Sequence, residues 1–430
     1  MTDDILRATL PNGLTLQLKE IHTAPIISHW VWYRVGSRYE QPGQRGVSHW
    51  VEHMQFKGTP KYPAGSLDKA IARTGGTWNA FTHMDWTTYF ETLPAYHITL
   101  ALDLESDRMI NSLFAPDEVE SERTVILSEL AGNLNEPLFL LGDAVQKAAF
   151  DHHPYRNEVI GTPDDLKTIH REHLFRHYRR FYHPANALVT LAGDFNAEAM
   201  LHQLSEAYAS LPAGKPNGHS THPEAPLLEE RRVAVSGPGD TTYLQIAYRS
   251  PEAAHPDFFA LTVLDSLLAG PTSLNMFGGG GISNKTSRLY RALIEKELAV
   301  GLAGGLQATC DPFMYDITVT MRPEIAPDAA LRALDDEIKR LQDHLVSEVE
   351  ILRAAKQARA MFAYGSENIT NQAFWLGFAE MFATYAWFQN YLTCLEQVTP
   401  ADIQRVARDW LQPNRRVVGV FHPHSSDQHP

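Results

Sequence analysis

The feature that most constrains the fold is a long-range internal repeat. The segment LKTIHREHLFRHYRRFYHPANALVTLAGDF at 166–195 has the same plan as VTPADIQRVARDWLQPNRRVVGVF at 398–421. Each pattern predicts an amphipathic helix, then an aromatic residue, a proline and a strand. Because the copies lie roughly two hundred residues apart, the repeat argues against a short-period solenoid and predicts two copies of one larger α+β unit.

A segment without apolar periodicity separates the two copies. Residues 211–230, LPAGKPNGHSTHPEAPLLEE, are rich in proline, glycine, serine and histidine, as linkers are. Strand patterns open both halves, at 14–19 and 26–35 before this segment and at 233–235 and 243–248 after it. We therefore predict an N-terminal domain at 1–212, a linker at 213–230 and a homologous C-terminal domain at 231–430.

The charge balance narrows the choice of partners. The chain has 37 basic and 51 acidic residues and a formal net charge of -14, which disfavours nucleic acid and anionic membrane as ligands. It contains no run of about 18 apolar residues, so we expect no membrane span.

The stretch HWVEHMQFKGT at 49–59 indicates a metal site. On a helix, His49 and His53 lie four residues apart and share one face, and Glu52 lies on the same side. Two neutral imidazoles suit zinc, and a catalytic zinc needs a third protein ligand and an open position. Glu52 is then placed to take a proton from water and to pass it to a leaving amine, which is the chemistry of peptide-bond hydrolysis.

The third ligand is expected on a second helix. Residues 115–133, APDEVESERTVILSELAGN, have a helical apolar pattern, and Glu122 and Glu129 lie seven residues, or about two turns, apart within it. Both carboxylates therefore face one side. One of them can bind the metal while the other orients a ligand histidine.

The order His-x-x-Glu-His is the inverted zinc-peptidase signature. Together with LPNGLTL, GSRYE, SERTVILSE and HPYRNEVIGT, it resembles the pitrilysin and mitochondrial processing peptidase family. The resemblance implies one zinc ion per chain, with Glu129 as the third ligand beside His49 and His53, and Glu122 as an accessory carboxylate. It also implies an α+β fold of two homologous sandwich-like domains, each a mixed sheet with helices packed on it, which pairs with a second chain to enclose a chamber.

The stretch 75–89 has the alternation of an edge strand, whose free backbone groups can pair with an extended peptide. The alternative is a strand that only packs against the helix behind it. The family resemblance implies substrate contact at the residues beside the zinc, namely Asn79, Ala80, Phe81 and Thr82.

One part of the family pattern is missing. Family members carry an Arg and a Tyr that reach the substrate carbonyl, but ALIEKELAVGL at 292–302 has Ile294 at the first position and Val300 or Gly301 at the second. Donors aimed at a developing oxyanion contribute a few kcal/mol, so something else must supply them. We expect a heterodimer in which a homologous partner without the zinc motif carries the Arg/Tyr pair. The fallback is a homodimer that uses other donors, such as Tyr290.

The sequence thus predicts a zinc-dependent endopeptidase that hydrolyses peptides or unfolded segments. The alternative is a structural or assembly subunit that retains the peptidase fold without proteolysis. Resemblance to exported bacterial relatives favours a periplasmic mature form, with a cytoplasmic enzyme as the other possibility.

Other motifs are expected to be structural. The glycines at 278–281 predict a loop more than a phosphate cradle, and the aromatic residues of 375–388 predict core or interdomain packing. We interpret His152, His153, His422 and His424 as surface residues, since neither pair has helical ligand spacing.

Overall fold

The computed structural model describes residues 5–215, 218, 222–274 and 283–424, so the glycine run at 278–281 lies outside the described residues. By its internal contacts the chain divides into two compact units. The first comprises Met1–Leu130, Asn157–Ser220 and Glu367–Tyr385, and the second comprises Ala131–Arg156, Thr221–Ser366 and Ala386–Pro430. No helix in the described part of the chain has both the length and the apolar character needed to cross a bilayer.

Fourteen α-helices are formed by the described residues. They are α1 (Val47–Met54), α2 (Ser66–Arg73), α3 (Ile98–Asn111), α4 (Pro116–Asn133), α5 (Pro137–Ala149), α6 (Pro163–Thr168), α7 (Arg171–Phe181), α8 (Ala197–Tyr208), α9 (Asp257–Leu268), α10 (Pro327–Asp343), α11 (Glu348–Tyr364), α12 (Ile369–Phe382), α13 (Tyr385–Glu396) and α14 (Pro400–Trp410).

The first unit is built on a six-stranded mixed sheet. Its strands are β1 (Ile5–Thr9), β2 (Thr15–Glu20), β3 (Ile26–Tyr33), β4 (Thr77–Thr82), β5 (Thr87–Pro94) and β6 (Ala187–Gly193). The spatial order is β1-β2-β6-β3-β5-β4, and β2 and β6 are the parallel pair. Nearly every residue of β3 and β6 is buried, as expected for strands with helices on both faces. Strand β4 lies at the edge of the sheet, as predicted. The predicted stretch 75–89 is not a single strand, however, because the chain turns after Thr82 and its last residues belong to β5, which lies between β3 and β4.

The second unit repeats this topology. Its strands are β7 (Arg231–Pro238), β8 (Tyr243–Ser250), β9 (Ala299–Leu306), β10 (Phe313–Met321) and β11 (Arg416–His424), in the spatial order β7-β11-β8-β10-β9. This order matches β2-β6-β3-β5-β4 strand for strand. In both sheets the first two strands of this order form the parallel pair, β2 with β6 and β7 with β11. The predicted duplication of an α+β unit with a mixed sheet is therefore confirmed.

The two units differ from the predicted sequential domains because each includes a helix from the other half of the sequence. Helix α12 packs on β2, β3 and β6 of the first unit, and α5 packs on the equivalent strands β7, β8 and β11 of the second. The α12 contact is close, since a Cβ on Gly377 would lie 2.0 Å from the Trp32 indole nitrogen. The physical reason is burial: each helix covers apolar residues of a sheet that would otherwise face water.

Two of the aromatic residues predicted to pack, Trp375 and Phe378 of α12, are core residues, while Phe382 is half-buried. Phe374 packs against Trp30 with ring centroids 5.6 Å apart, and Trp375 and Phe378 are buried. The interpretation of His153 as a surface residue is wrong. Its ring is buried in the second unit, and its Nε2 lies 2.9 Å from an Asp311 carboxylate oxygen.

Candidate functional site

Helix α1 carries the predicted metal motif, and a carboxylate fixes where the helix begins. Gly46 has a φ of 91°, a conformation that glycine adopts easily, and it ends the preceding loop. The Gly46 N–H donates to one oxygen of the Glu40 carboxylate and the Ser48 N–H donates to the other, both at 2.8 Å. These bonds satisfy two of the N–H groups that a helix leaves free at its start. His49, Glu52 and His53 are thereby presented on one side of a short, anchored helix.

The structure brings the three predicted ligands together. The His49 Nε2 and the His53 Nε2 each lie 3.8 Å from an oxygen of Glu129, which projects from α4. Each of the three residues has one possible ligand atom that lies within 4.8 Å of those of the other two. Among the described residues, these are the three histidine, cysteine or acidic side chains that lie close enough together to hold a metal ion.

Glu122 lies behind this cluster. It is buried on α4, and one of its oxygens is 2.9 Å from the His53 Nδ1. Its other oxygen forms an ion pair with the Lys57 ammonium group. A carboxylate on Nδ1 fixes the imidazole tautomer and leaves Nε2 free as a ligand atom. The arrangement thus matches the orienting role that the sequence predicts for one of the two carboxylates.

The donor set fits zinc. Two imidazole nitrogens and one carboxylate form a three-ligand set of the kind that catalytic zinc sites use. Burial lowers the pKa of His49 to about 3, so this imidazole is neutral at pH 7, as a metal ligand must be. Glu129 is exposed, which leaves the solvent side of the cluster open.

Glu52 lies next to the cluster and has its own partner. It is buried, and one of its carboxylate oxygens accepts a hydrogen bond from the Thr82 hydroxyl at 2.5 Å. Burial raises the pKa of Glu52 to about 7, against the opposing effect of the Thr82 hydrogen bond. A carboxyl group with a pKa near the working pH is well suited to take up and release a proton.

The predicted substrate residues lie on β4, which packs against α1. Asn79 is exposed, Phe81 is half-buried, and the Ala80 side chain is buried. The Ala80 N–H donates to the side-chain oxygen of Asn79 at 2.9 Å, so this backbone group is capped locally. Peptide contact at these residues remains a prediction.

The positions without the family Arg and Tyr lie in the second unit. Ile294 ends a helical turn, Tyr290–Ile294, while Val300 is exposed on the edge strand β9. Neither Ile294 nor Val300 offers a side-chain hydrogen-bond donor.

Two residues that hold the site were not predicted from the sequence. Glu40 caps α1, and Lys57 pairs with Glu122. The spacing of Lys57, four residues after His53, places it on the same face of the helical segment, but the spacing does not reveal its partner Glu122, which is distant in sequence. Thr82 was predicted as a substrate contact, whereas the structure places its hydroxyl on Glu52.

Comparison with protein-family models gives two matches. Residues 16–163 match the model described as insulinase, peptidase family M16, and residues 168–358 match the model described as peptidase M16 inactive domain.

Several curated relatives match over most of the chain. A protein of Mycobacterium tuberculosis named uncharacterized zinc protease is 30% identical over 98% of this chain and 93% of its own length. One of the same description from Streptomyces coelicolor is 28% identical over 96% of this chain and 89% of its own. A probable mitochondrial-processing peptidase subunit beta of Arabidopsis thaliana is 25% identical, covering 82% of this chain and 66% of that protein.

Solved structures agree with this fold. A protease from Helicobacter pylori superposes with a TM-score of 0.88 at 25% identity, covering 98% of this chain and all of that one. A peptidase M16 inactive domain from Pseudomonas fluorescens gives a TM-score of 0.87 at 17% identity over 99% of both chains, which speaks for the fold alone.

Proposed function

The chain belongs to peptidase family M16, and from that premise we propose that it is a zinc-dependent endopeptidase that hydrolyses peptides or unfolded segments. The observation that carries the proposal is the convergence of His49, His53 and Glu129, with Glu52 beside them. Relatives that match nearly the whole chain are named zinc proteases, which supports zinc as the metal.

The chemistry divides between the metal and one carboxylate. Zinc, when bound, supplies Lewis acidity that makes water a nucleophile near neutral pH. In our proposal Glu52 accepts the proton of the attacking water as the C–O bond forms. It then delivers this proton to the amide nitrogen as the C–N bond breaks, so that a carboxylic acid and an amine are released. Glu122 holds the His53 imidazole through its Nδ1 while this occurs.

The substrate class follows from the edge strand. We infer that an extended peptide pairs with the backbone of β4 at Asn79, Ala80, Phe81 and Thr82, where it would lie beside α1. Backbone pairing reads little sequence, so extended conformation should matter more than a strict recognition motif. A folded protein that resists cleavage until it is denatured would support this inference.

We further propose that the chain is the zinc-bearing subunit of a heterodimer. Ile294, Val300 and Gly301 supply no side-chain donor for the developing oxyanion, and a homologous partner with an Arg and a Tyr would provide them. Purification from the source as a fully active homodimer would contradict this, and Tyr290 would then be the first donor to test.

A second candidate is a structural or assembly subunit without proteolysis. The match of 168–358 to the inactive-domain model favours it, together with the absent Arg and Tyr. Against it stands the complete set of zinc-site residues in the first unit, which a purely structural subunit would not need.

The test is cleavage of a mixed library of unstructured peptides by the zinc-loaded chain, with and without a chelator. Glu52→Gln is the matched variant, because it keeps the metal ligands and the side-chain shape. Chelator-sensitive cleavage that is lost in Glu52→Gln supports the enzyme. Zinc bound without cleavage, both alone and after the addition of a homologous Arg/Tyr subunit, supports the structural role. A periplasmic location is also our prediction, to be tested by cell fractionation.

A further inference from the structure

The Thr82 hydroxyl donates a hydrogen bond to the Glu52 carboxylate. We propose that Thr82 is a positioning residue that holds the Glu52 carboxylate in the orientation needed for proton transfer. This inference rests on the proposed role of Glu52, and it replaces the expected role of the Thr82 side chain as a substrate contact.

The hydrogen bond is short and specific. The Thr82 Oγ1 donates to Glu52 Oε2 at 2.5 Å, and neither side chain forms a second hydrogen bond within the described residues. A hydrogen bond to one carboxylate oxygen stops the group from rotating and leaves Oε1 available for the proton of water. Threonine suits this task because its branched Cβ restricts χ1, so the hydroxyl has few alternative directions.

The position of Thr82 is itself fixed from the side away from the substrate. Thr82 is the last residue of β4 and pairs with Thr87 of β5. The turn between them is closed by a hydrogen bond from the His83 N–H to the Trp86 carbonyl at 2.8 Å. The hairpin end therefore has a defined geometry in the free protein.

A neighbouring loop clamps that hairpin. The Arg38 N–H donates to the Met84 carbonyl at 3.0 Å, and the Arg38 guanidinium lies 3.4 Å from an Asp85 oxygen, with both side chains buried. Gly36 allows this approach, since a Cβ there would lie 2.0 Å from the His83 carbonyl oxygen. The GSRYE motif at 36–40 thus contacts the hairpin through its first residues and the start of α1 through its last residue, Glu40.

In this arrangement the Thr82 hydroxyl has a role even if the substrate peptide pairs only with the backbone of β4. A peptide at the edge of β4 would use N–H and C=O groups, whereas the Thr82 hydroxyl points to Glu52. Strand and general base are therefore linked directly, so that a peptide held on the strand is held in register with the carboxylate.

The experiment compares Thr82→Val with Thr82→Ser in the zinc-loaded protein, together with the Arg/Tyr partner if cleavage requires it. Valine keeps the shape and the strand preference but cannot donate, while serine keeps the donor. We expect Thr82→Val to lower kcat about ten- to hundredfold, the usual range for a hydrogen bond to a charged group, with KM and the zinc dissociation constant changed less than about twofold. Thr82→Ser should recover most of kcat. Thr77→Val, at the exposed start of β4, should match the wild type.

Two further measurements separate this inference from the proposed function. In a Glu52→Gln background, Thr82→Val should cause no additional loss, because the group it positions is already gone. Crystal structures of the metal-free Thr82→Val and Thr82→Ser proteins should show Glu52 displaced only in the valine variant.

An unmoved Glu52 in the Thr82→Val crystal, or a change in KM with kcat intact, overturns the positioning role. Displacement of Glu52 in a protein that cleaves no peptide, even with the partner, leaves the positioning contact standing while the peptidase proposal fails.

Discussion

Replacing Glu122 should weaken zinc binding without touching a ligand. The buried carboxylate of Glu122 is 2.9 Å from the His53 Nδ1 and also pairs with Lys57, so it both orients the imidazole and compensates a cation. Loss of such a partner typically lowers metal affinity ten- to hundredfold, or about 1.4–2.8 kcal/mol. Glu122→Gln keeps an acceptor for His53 and should fall near the lower value. Glu122→Ala leaves Nδ1 and Lys57 without that partner and should reach the higher one.

The assay is a competition titration of zinc against a chromophoric chelator. Glu118→Gln is the matched control, since Glu118 is one turn away on α4 and lies 3.7 Å from Lys57. Among the residues that the structure describes, it forms no hydrogen bond or ion pair with a histidine. The Glu118→Gln protein should bind zinc as the wild type does. If Glu122→Ala binds zinc within about threefold of the wild type while His53→Ala does not bind, Glu122 does not support the ligand and the reasoning is refuted.

Three other results are expected. Gly377→Ala should lower the free energy of unfolding by at least about 1–3 kcal/mol, because the new Cβ meets the Trp32 indole. Gly142→Ala in α5 has open space around it and should raise the free energy of unfolding by up to about 1 kcal/mol. Chemical denaturation measures both changes, and equal effects would contradict the packing of α12. Burial raises the pKa of Asp265 to about 7 in the folded chain. The protonated carboxyl therefore contributes stability that is fully present below the unfolded pKa of 3.8 and is lost as the pH rises through 7. Denaturation of the wild type at pH 5 and pH 8 should show this loss of stability, and Asp265→Asn should lack the part that Asp265 contributes. Free zinc at a hundred times its dissociation constant should stabilise the protein by about 2.7 kcal/mol and have no effect on His53→Ala, as thermal shifts with and without chelator would reveal.

The site was predictable where its chemistry is local. His49, Glu52 and His53 lie within five residues on one helix, and Glu122 and Glu129 lie two turns apart on another, so helical geometry alone sets which side chains share a face. The duplicated sheet was predictable for a similar reason, because the repeated pattern of helix, proline and strand survives in both halves.

Contacts between distant segments could not be predicted in this way. Nothing in the spacing of 369–382 indicates that this helix completes the sheet of the N-terminal half, since an apolar helix can cover either of two apolar sheets. His153 was assigned to the surface because its pair with His152 lacks helical ligand spacing, and the partner that it has, Asp311, is distant in sequence and belongs to no motif. The bond between Thr82 and Glu52 escaped for the same reason, since it joins an edge strand to a helix that precedes it by a loop and another helix.

The exchange of helices has a consequence for the order in which the protein matures on the ribosome. The sheet of the first unit is fully synthesised at the end of β6, but the helix that covers one of its faces, α12, emerges only some 190 residues later. At usual translation rates this is a delay on the order of ten to forty seconds, during which a wide apolar surface has no cover. The nascent chain should therefore be a client of chaperones that shield such surfaces, and an N-terminal fragment ending at the linker should aggregate when it is produced alone.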